Sequence, residues 1–171
     1  MACAVHAPVA HPHRYRHGHG RPWNIGSEQR VNYTAIGDTV NLAARLEGAN
    51  KHFGTSILID GATAANVQDK VRIREVGTVA VKGKQHGVRV FEPLCENGKP
   101  AIYPEAFLEA YSTVVDCFRN RKFEECVRAA DEALSIRPDD IPASMYKDMG
   151  EEYMLCPPGD DFDATVRLKT K

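Results

Sequence analysis

Three polar side chains near the middle of the chain have the spacing of one helix face. Asp38, Asn41 and Arg45 stand at positions i, i+3 and i+7, so a helix would carry them on one side. A guanidinium donates several hydrogen bonds and stays protonated, which suits phosphoryl oxygens whose charge grows in a transition state. The alternative is a solvated helix face on which Arg45 pairs with a nearby acid. The spacing leaves both interpretations open.

Two lysines in a glycine-containing turn could add positive charge to such a site. Lys82 and Lys84 lie in VKGKQHG, directly after a strand-like run. The alternative is a hairpin whose lysines are solvated. The sequence contains no G-x-x-x-x-G-K-[ST], G-x-S-x-G or C-x-x-C pattern, so it offers no P-loop, nucleophile elbow or thiol pair.

The elements that would position these residues alternate between strand and helix. RVNYTAIG predicts a strand, Gly37 allows a tight turn, and a helix follows from about Thr39 to His52. SILID predicts a strand and Gly61–Val67 a short helix. VRIREV, TVAVK and VRVFEPL predict three more strands. This order favours an α/β (α+β) fold with one sheet and helices packed against it.

The C-terminal part is predicted to be helical. Two amphipathic helices are expected, from about Pro104 to Asn120 and from about Phe123 to Ile136. The second is spaced like the latter half of a tetratricopeptide repeat. Because a lone repeat cannot bury both of its faces, we expect it to pack on the preceding domain. The sequence after Pro138 predicts an irregular tail.

Composition excludes several classes of protein. The chain has 171 residues, of which 43% are hydrophobic and 26% charged, and a net charge of −1. This composition predicts a soluble cytoplasmic domain with an appendage, without a nucleic-acid partner or a membrane segment. The five cysteines form no C-x-x-C pair, which indicates free thiols in a reducing compartment.

Residues 1–27 differ from the rest because they contain no acidic residue and five of the seven histidines. Three interpretations are open: an unstructured arm, a loose metal site, or a frame-shifted or truncated reading of the gene. The metal site would use the side chains of His11, His13, His17 and His19. We therefore divide the chain into a disordered or aberrant start at 1–23, a central domain at 24–97 and a helical extension at 103–171.

The run NIGSEQRVNYTAIGDTVNLAARLEGANKHFG, with ILID and VKGKQHGVRVFEPL after it, resembles the C-terminal half of the class III adenylyl/guanylyl cyclase catalytic domain. The resemblance covers about residues 24–94. It implies an incomplete ferredoxin-like fold, and it makes residues 103–171 similar to the extension of many bacterial members. In this family two catalytic domains pair head to tail, and the active sites lie between them.

The resemblance also implies roles for individual residues. Asn41 would orient the ribose, and Arg45 would stabilise the transition state as the 3′-OH attacks the α-phosphate. Lys82 would hold the terminal phosphates and Thr34 would contact the base. Threonine at that position resembles the adenylyl enzymes, so the substrate implied is ATP, with GTP as the alternative, and the products are cyclic AMP and pyrophosphate.

One half of the family's site has no counterpart in this sequence. Family members bind Mg²⁺ or Mn²⁺ through two aspartates that lie upstream of the matched region, where residues 1–27 contain no acid. The first hypothesis is therefore a cyclase fragment, inactive alone, that complements a partner protomer. The second is a non-catalytic interaction or dimerisation module, and the third is a chain that does not fold stably.

Overall fold

The first elements that the structure describes form an antiparallel hairpin. The computed structural model describes residues 21–27, 30–80 and 87–166, those before Gly37 by their backbone alone. Strand β1 (Arg21–Ser27) pairs with β2 (Arg30–Ile36). The first strand thus starts before the boundary predicted at Asn24. The histidines at 11, 13, 17 and 19 lie outside the described residues.

Helix α1 (Asp38–Phe53) follows, close to the bounds predicted from the sequence. The chain divides into two compact units, Met1–Ala44 and Arg45–Lys171, and the division falls within this helix. The remaining elements belong to the second unit.

The second unit contains a four-stranded mixed sheet. Its strands are β3 (Ile59–Asp60), β4 (Val71–Val79), β5 (Val88–Glu96) and β6 (Thr165–Val166), in the order β3-β5-β4-β6. Neighbours are antiparallel except β4 and β6, which are parallel. Helix α2 (Gly61–Val67) begins after β3, where the Asp60 carboxylate accepts from the backbone N–H of Thr63. The α+β fold predicted from the sequence is confirmed.

Strand β4 corrects one prediction. VRIREV and TVAVK were expected as two strands, but β4 is one strand that contains VRIREV and continues past Gly77 into Thr78 and Val79. Gly77 has a φ of 151° and lies at a register shift between Glu75 and Gly77. The glycine therefore allows a bulge within one strand instead of ending it.

Three helices pack beside the sheet: α3 (Glu105–Arg119), α4 (Phe123–Ile136) and α5 (Ile141–Leu155). The first two are the helices predicted from periodicity. The third corrects the prediction of an irregular tail. Asp140 caps α5 by accepting from the Ala143 N–H at 3.0 Å, and Pro142 occupies the first turn, where its missing N–H is tolerated.

Aromatic rings fill the space between these helices and the chain after them. Phe118 contacts Tyr146 and Phe162 at centroid distances of 4.9 Å and 5.5 Å. Gly150 lets α5 approach α4, because a methyl group there would come within 2.8 Å of Val127 Cγ2. The segment after α5 is therefore part of the core of this unit.

The helices also bind the sheet through hydrogen bonds at the β4 bulge. The hydroxyls of Tyr111 and Tyr146 both donate to the carbonyl oxygen of Val76, at 3.0 Å and 3.2 Å. Burial raises the pKa of both tyrosines, so both remain protonated donors at neutral pH. The expected packing of the extension on the preceding elements is thus observed within the second unit.

No helix in the described part of the chain is long and apolar enough to cross a membrane.

Candidate functional site

Helix α1 carries two of the residues that the sequence singled out. Its buried residues are Leu46, Ala49 and Phe53, at a spacing of one helix stripe. Asn41 and Arg45 lie on α1 at i and i+4, and both side chains are exposed. Both side chains are therefore in contact with solvent.

The sequence also explains where α1 begins and ends. Asp38 lies in the first turn, and Lys51 and His52 lie in the last, so these charges complement the helix dipole. Gly54 follows with a φ of 63°, a left-handed conformation that favours glycine and ends the helix.

The structure describes Thr34 and Lys82, the residues predicted to contact the base and the terminal phosphates, less fully. Thr34 lies in β2, where its backbone is the register partner of Trp23 in β1. Its side chain is outside what the structure describes. Lys82 and Lys84 fall within residues 81–86, which are also outside the described residues. Their proposed contacts with a nucleotide therefore stay predictions.

The described residues do not fit a metal centre. Among them, no three His, Cys, Asp or Glu side chains are grouped closely enough to hold a metal ion. The cysteines at 95, 117, 126 and 156 are free. Burial raises the pKa of Cys126 to about 12, so this thiol stays protonated and is a poor metal ligand.

Sequence reasoning missed a buried charged cluster between the sheet and the helices. Arg74 on β4, Glu92 on β5 and Asp140 before α5 are each less than 7% exposed. The guanidinium of Arg74 donates through Nε to Glu92 at 2.6 Å and through Nη1 to Asp140 at 2.8 Å. Rings cover the guanidinium, with the Tyr103 centroid 4.6 Å and the Tyr111 centroid 4.8 Å from its carbon.

This cluster has a structural explanation. A buried charge is tolerated only when it is paired and hydrogen-bonded, and Arg74 meets both conditions. The hydroxyl of Tyr103 lies 3.3 Å from both oxygens of Glu92. The sequence shows only that Arg74 and Glu92 stand among apolar residues of two predicted strands, which does not identify their partners.

The cavities lined by described residues include two on the second unit. One, of about 450 Å³, lies between β4 and α3, and the ion pair of Arg72 with Glu105 joins two of its lining residues. The other, of about 590 Å³, lies between α5 and residues 158–166. Neither is lined by Asn41 or Arg45, so the residues proposed for chemistry lie on an exposed helix surface.

An exposed amide and guanidinium one turn apart can donate to an anionic or sugar-bearing ligand, but they include no general base or nucleophile. A reaction at this surface would need groups from elsewhere.

Comparison with known proteins finds several curated relatives of this chain. The chain is 46% identical over 69 residues to adenylate cyclase 1 of Rhizobium meliloti, a match covering 40% of this chain and 10% of that protein. It is 35% identical over 71 residues to an adenylate cyclase of Anabaena cylindrica, covering 40% of this chain and 14% of that protein. The relatives are adenylate cyclases.

A third relative extends the match. The terminal-differentiation specific adenylate cyclase of Dictyostelium discoideum is 32% identical over 126 residues, which is 71% of this chain and 6% of that protein. The chain therefore spans only a small part of each curated relative. No family model and no solved structure matches it. The comparisons therefore support a relationship to adenylate cyclases only over the residues that match.

Proposed function

We propose that this chain supplies the ribose-orienting and transition-state-stabilising half of a class III nucleotide cyclase site. It would form cyclic AMP and pyrophosphate from ATP only together with a partner protomer. The observation that carries the proposal is the exposed pair Asn41 and Arg45 on α1, in a chain whose relatives are adenylate cyclases. GTP is the alternative substrate.

In the proposed reaction, the oxygen of the ribose 3′-OH forms a bond to the α-phosphorus. The bond from that phosphorus to the β-phosphate oxygen breaks, pyrophosphate leaves with the electron pair, and the hydroxyl proton passes to solvent. Asn41 would hold the ribose, and Arg45 would donate to the α-phosphoryl oxygens as their charge grows. Lys82 would bind the terminal phosphates and Thr34 would contact the adenine.

Among the described residues, no three His, Cys, Asp or Glu side chains are grouped closely enough to hold a metal ion. The proposal assigns the binding of Mg²⁺ or Mn²⁺ to aspartates of the other protomer in a head-to-tail dimer. On this proposal the chain alone is inactive.

The test is complementation. The chain is mixed with a full-length adenylate cyclase whose own ribose-orienting Asn and transition-state Arg have been replaced, and cyclic AMP formation is measured with ATP and with GTP. Rescue with ATP supports the proposal, and preference for GTP revises the substrate. If the wild-type chain gives no rescue with either nucleotide, the proposal is wrong.

Arg45 variants test the chemistry within that assay. We expect Arg45→Ala to lower the rescued rate by about 10²–10³-fold, because the loss of one transition-state hydrogen-bond donor lowers the rate of other enzymes by that factor. Arg45→Lys should recover little, because an ammonium cannot reproduce the planar donor fork. Lys51→Ala, an exposed change on the same helix, is the matched control. If the Arg45→Ala chain rescued cyclic AMP formation at the wild-type rate, a catalytic role for Arg45 would be excluded.

A second candidate function is a non-catalytic interaction or dimerisation module. The feature that favours it is the exposed apolar end of α5, where Met154 is 51% and Leu155 is 90% exposed. Removing the whole extension would not test this idea, because Tyr111, Tyr146 and Asp140 all support β4. Leu155→Asp is the sharper variant. Loss of a captured partner with Leu155→Asp, but not with Arg45→Ala, would favour the module.

A further inference from the structure

Helix α5 carries a second apolar row beside the side that it buries. Its buried residues include Tyr146 and Gly150. Met145, Met149 and Tyr153 follow one another at intervals of four residues, so they form a row along one side of the helix. All three are partly exposed, and all three line the cavity of about 590 Å³. The row is therefore one apolar wall of a groove, which we call the α5 groove.

The chain after α5 forms the other wall of this groove, through Pro158, Phe162 and Val166. The ring centroids of Phe162 and Tyr153 are 5.8 Å apart, so the two walls meet at these rings. Phe162 also packs on Phe118 of α3, with centroids 5.5 Å apart, and Val166 pairs with β4. Both walls are therefore held by the core of the second unit, and the groove is preformed.

Acidic side chains stand around these apolar residues. Those that line the α5 groove are Asp148 and Glu152 on α5 and Asp161 and Asp163 on the other wall. The described lining residues include no lysine or arginine. Lys147 is the basic residue of α5, and its Nζ lies 2.6 Å from an oxygen of Asp131 and 4.0 Å from one of Glu151. This lysine pairs with acids outside the groove, so the groove keeps its negative charge.

The spread of these acids favours a chain of positive charges over a single ion. Asp148 and Glu152 are one turn apart on α5, and the other two acids lie on the other wall. Among the residues that the structure describes, no three His, Cys, Asp or Glu side chains are close enough to hold one metal ion. Positive charges spaced along a peptide would meet both walls, and its apolar side chains would fill the space between them. Methionine suits such a contact because its flexible side chain adapts to different partners.

We propose that the α5 groove binds a basic peptide segment of a partner protein. An apolar side chain of that segment packs on Met149 and Phe162, and its lysines or arginines pair with Asp148 and Glu152. The site is separate from the exposed end of α5, because Leu155 does not line the groove. The proposal does not depend on nucleotide cyclisation, so it and the proposed function can fail independently.

The first test measures the binding of three fluorescent peptides of about 12 residues to the full chain. One contains lysine and leucine, one has glutamate in place of lysine, and one has alanine in place of leucine. We expect the lysine–leucine peptide to bind roughly tenfold more tightly than the other two, because it alone matches both the charge and the apolar walls. Failure of this peptide to bind, or equal binding of the lysine–alanine peptide, would overturn the proposal.

Two pairs of matched variants locate the binding on the chain. Glu152→Lys reverses a charge of the groove, and Glu132→Lys makes the same change at an exposed position of α4. Met149→Ala shortens a side chain of the groove, and Met154→Ala does so at an exposed position of α5 outside it. We expect each groove variant to weaken binding of the lysine–leucine peptide by roughly fivefold or more, and each control by less than about twofold.

Equal effects within the charge pair or within the methionine pair would overturn the proposal. Glu152 is exposed, so its variant keeps the test decisive even if Met149→Ala lowers the stability of the chain. A thermal melt of each variant shows which of them retain the fold.

The methionine methyl groups report the site directly. In the full chain with carbon-13-labelled methionine methyl groups, the lysine–leucine peptide should shift the nuclear magnetic resonance signals of Met145 and Met149. The signal of Met154 should stay in place. A shift of Met154 without a shift of the two groove methionines would overturn the proposal.

Two other occupants are separated by the same materials. If the full chain self-associates in sedimentation without peptide, and Glu152→Lys abolishes this, a second copy fills the groove and the proposal is wrong. Residues 167–171, RLKTK, contain three bases. If a chain ending at Val166 binds the lysine–leucine peptide and the full chain does not, these residues fill the groove and the partner proposal is likewise wrong. Peptide binding by a monomeric full chain supports it.

Discussion

At the scale of single residues, Asp140 has two structural roles. One carboxylate oxygen accepts from the Ala143 N–H and caps α5, and the other accepts from buried Arg74. These roles are separable, because an amide retains an acceptor for the cap but lacks the charge that Arg74 needs.

We expect Asp140→Asn to lower the free energy of unfolding by about 1–3 kcal/mol, since Arg74 keeps Glu92 as one charged partner. Asp140→Ala should lower it by about 1 kcal/mol more, because the helix cap is also lost. Urea unfolding at neutral pH measures both. Asp139→Asn is the control, with a side chain 79% exposed and an expected change within about 0.5 kcal/mol. Equal losses for the two Asp140 variants would contradict the two-role account.

At the scale of elements, the bulge in β4 is the point where α3 and α5 attach to the sheet. Val76 is fully buried, and its carbonyl oxygen receives two tyrosine hydroxyls. Either hydroxyl alone would satisfy this carbonyl, whereas the loss of both would leave a buried acceptor without a partner. The two helices therefore share one attachment point.

This sharing predicts a non-additive mutant pair and a change in alkaline stability. Tyr111→Phe and Tyr146→Phe should each have a modest effect, and together they should lower the free energy of unfolding by more than the sum of the two single effects.

The ordinary tyrosine pKa is 10.0, and burial raises both pKa values above it in the folded state. The folded state therefore keeps these protons where the unfolded state loses them.

The sign follows from this difference in protonation. Each tyrosine's contribution is fully present below pH 10.0 and is lost as pH rises toward its folded pKa, at about 1.4 kcal/mol per pH unit. Urea unfolding at roughly pH 9 to 11 should show a flatter decline for the double variant than for the wild type. The wild type and the double variant both contain the buried thiols Cys117 and Cys126, so the contribution of these thiols to the pH dependence of stability is the same in the two proteins. Parallel declines would contradict the pKa shifts.

At the scale of the whole molecule, the helical extension is a structural part of the second unit. Several sets of contacts reach β4 from the extension, among them Asp140 on Arg74, the tyrosines on Val76, and β6 on residues 78–80. Without them Arg74 would keep only Glu92, and the β4 bulge would lose both hydroxyl donors. The extension and the sheet should therefore unfold together.

We accordingly expect a chain of residues 1–102 to show no cooperative thermal transition, whereas the full chain shows one for its second unit. Near-ultraviolet circular dichroism and calorimetry would measure this. The full chain carrying Leu155→Asp is the control, because the change lies in the extension but outside the core. A cooperative melt of residues 1–102 near the full-chain midpoint would show that the sheet does not need the extension.

Local patterns in the sequence were enough to predict α1, α2, α3 and α4. A helix with one apolar stripe repeats its signal every turn, and glycines such as Gly54 mark its end, so no distant contact is needed. The same spacing placed Asn41 and Arg45 one turn apart, and the structure describes both as exposed. Their catalytic roles came from the family resemblance and stay predictions.

The tertiary structure alone decided which distant residues meet. Helix α5 was missed because it buries small residues, such as Ala143 and Gly150, that make a weak apolar stripe. Arg74 and Asp140 are 66 residues apart in sequence, and Tyr146 and Val76 are 70 apart. A period of two or of 3.6 residues carries no information about such pairings, because they depend on how whole elements pack. For the same reason the parallel pairing of β6 with the end of β4 is visible only in the folded chain.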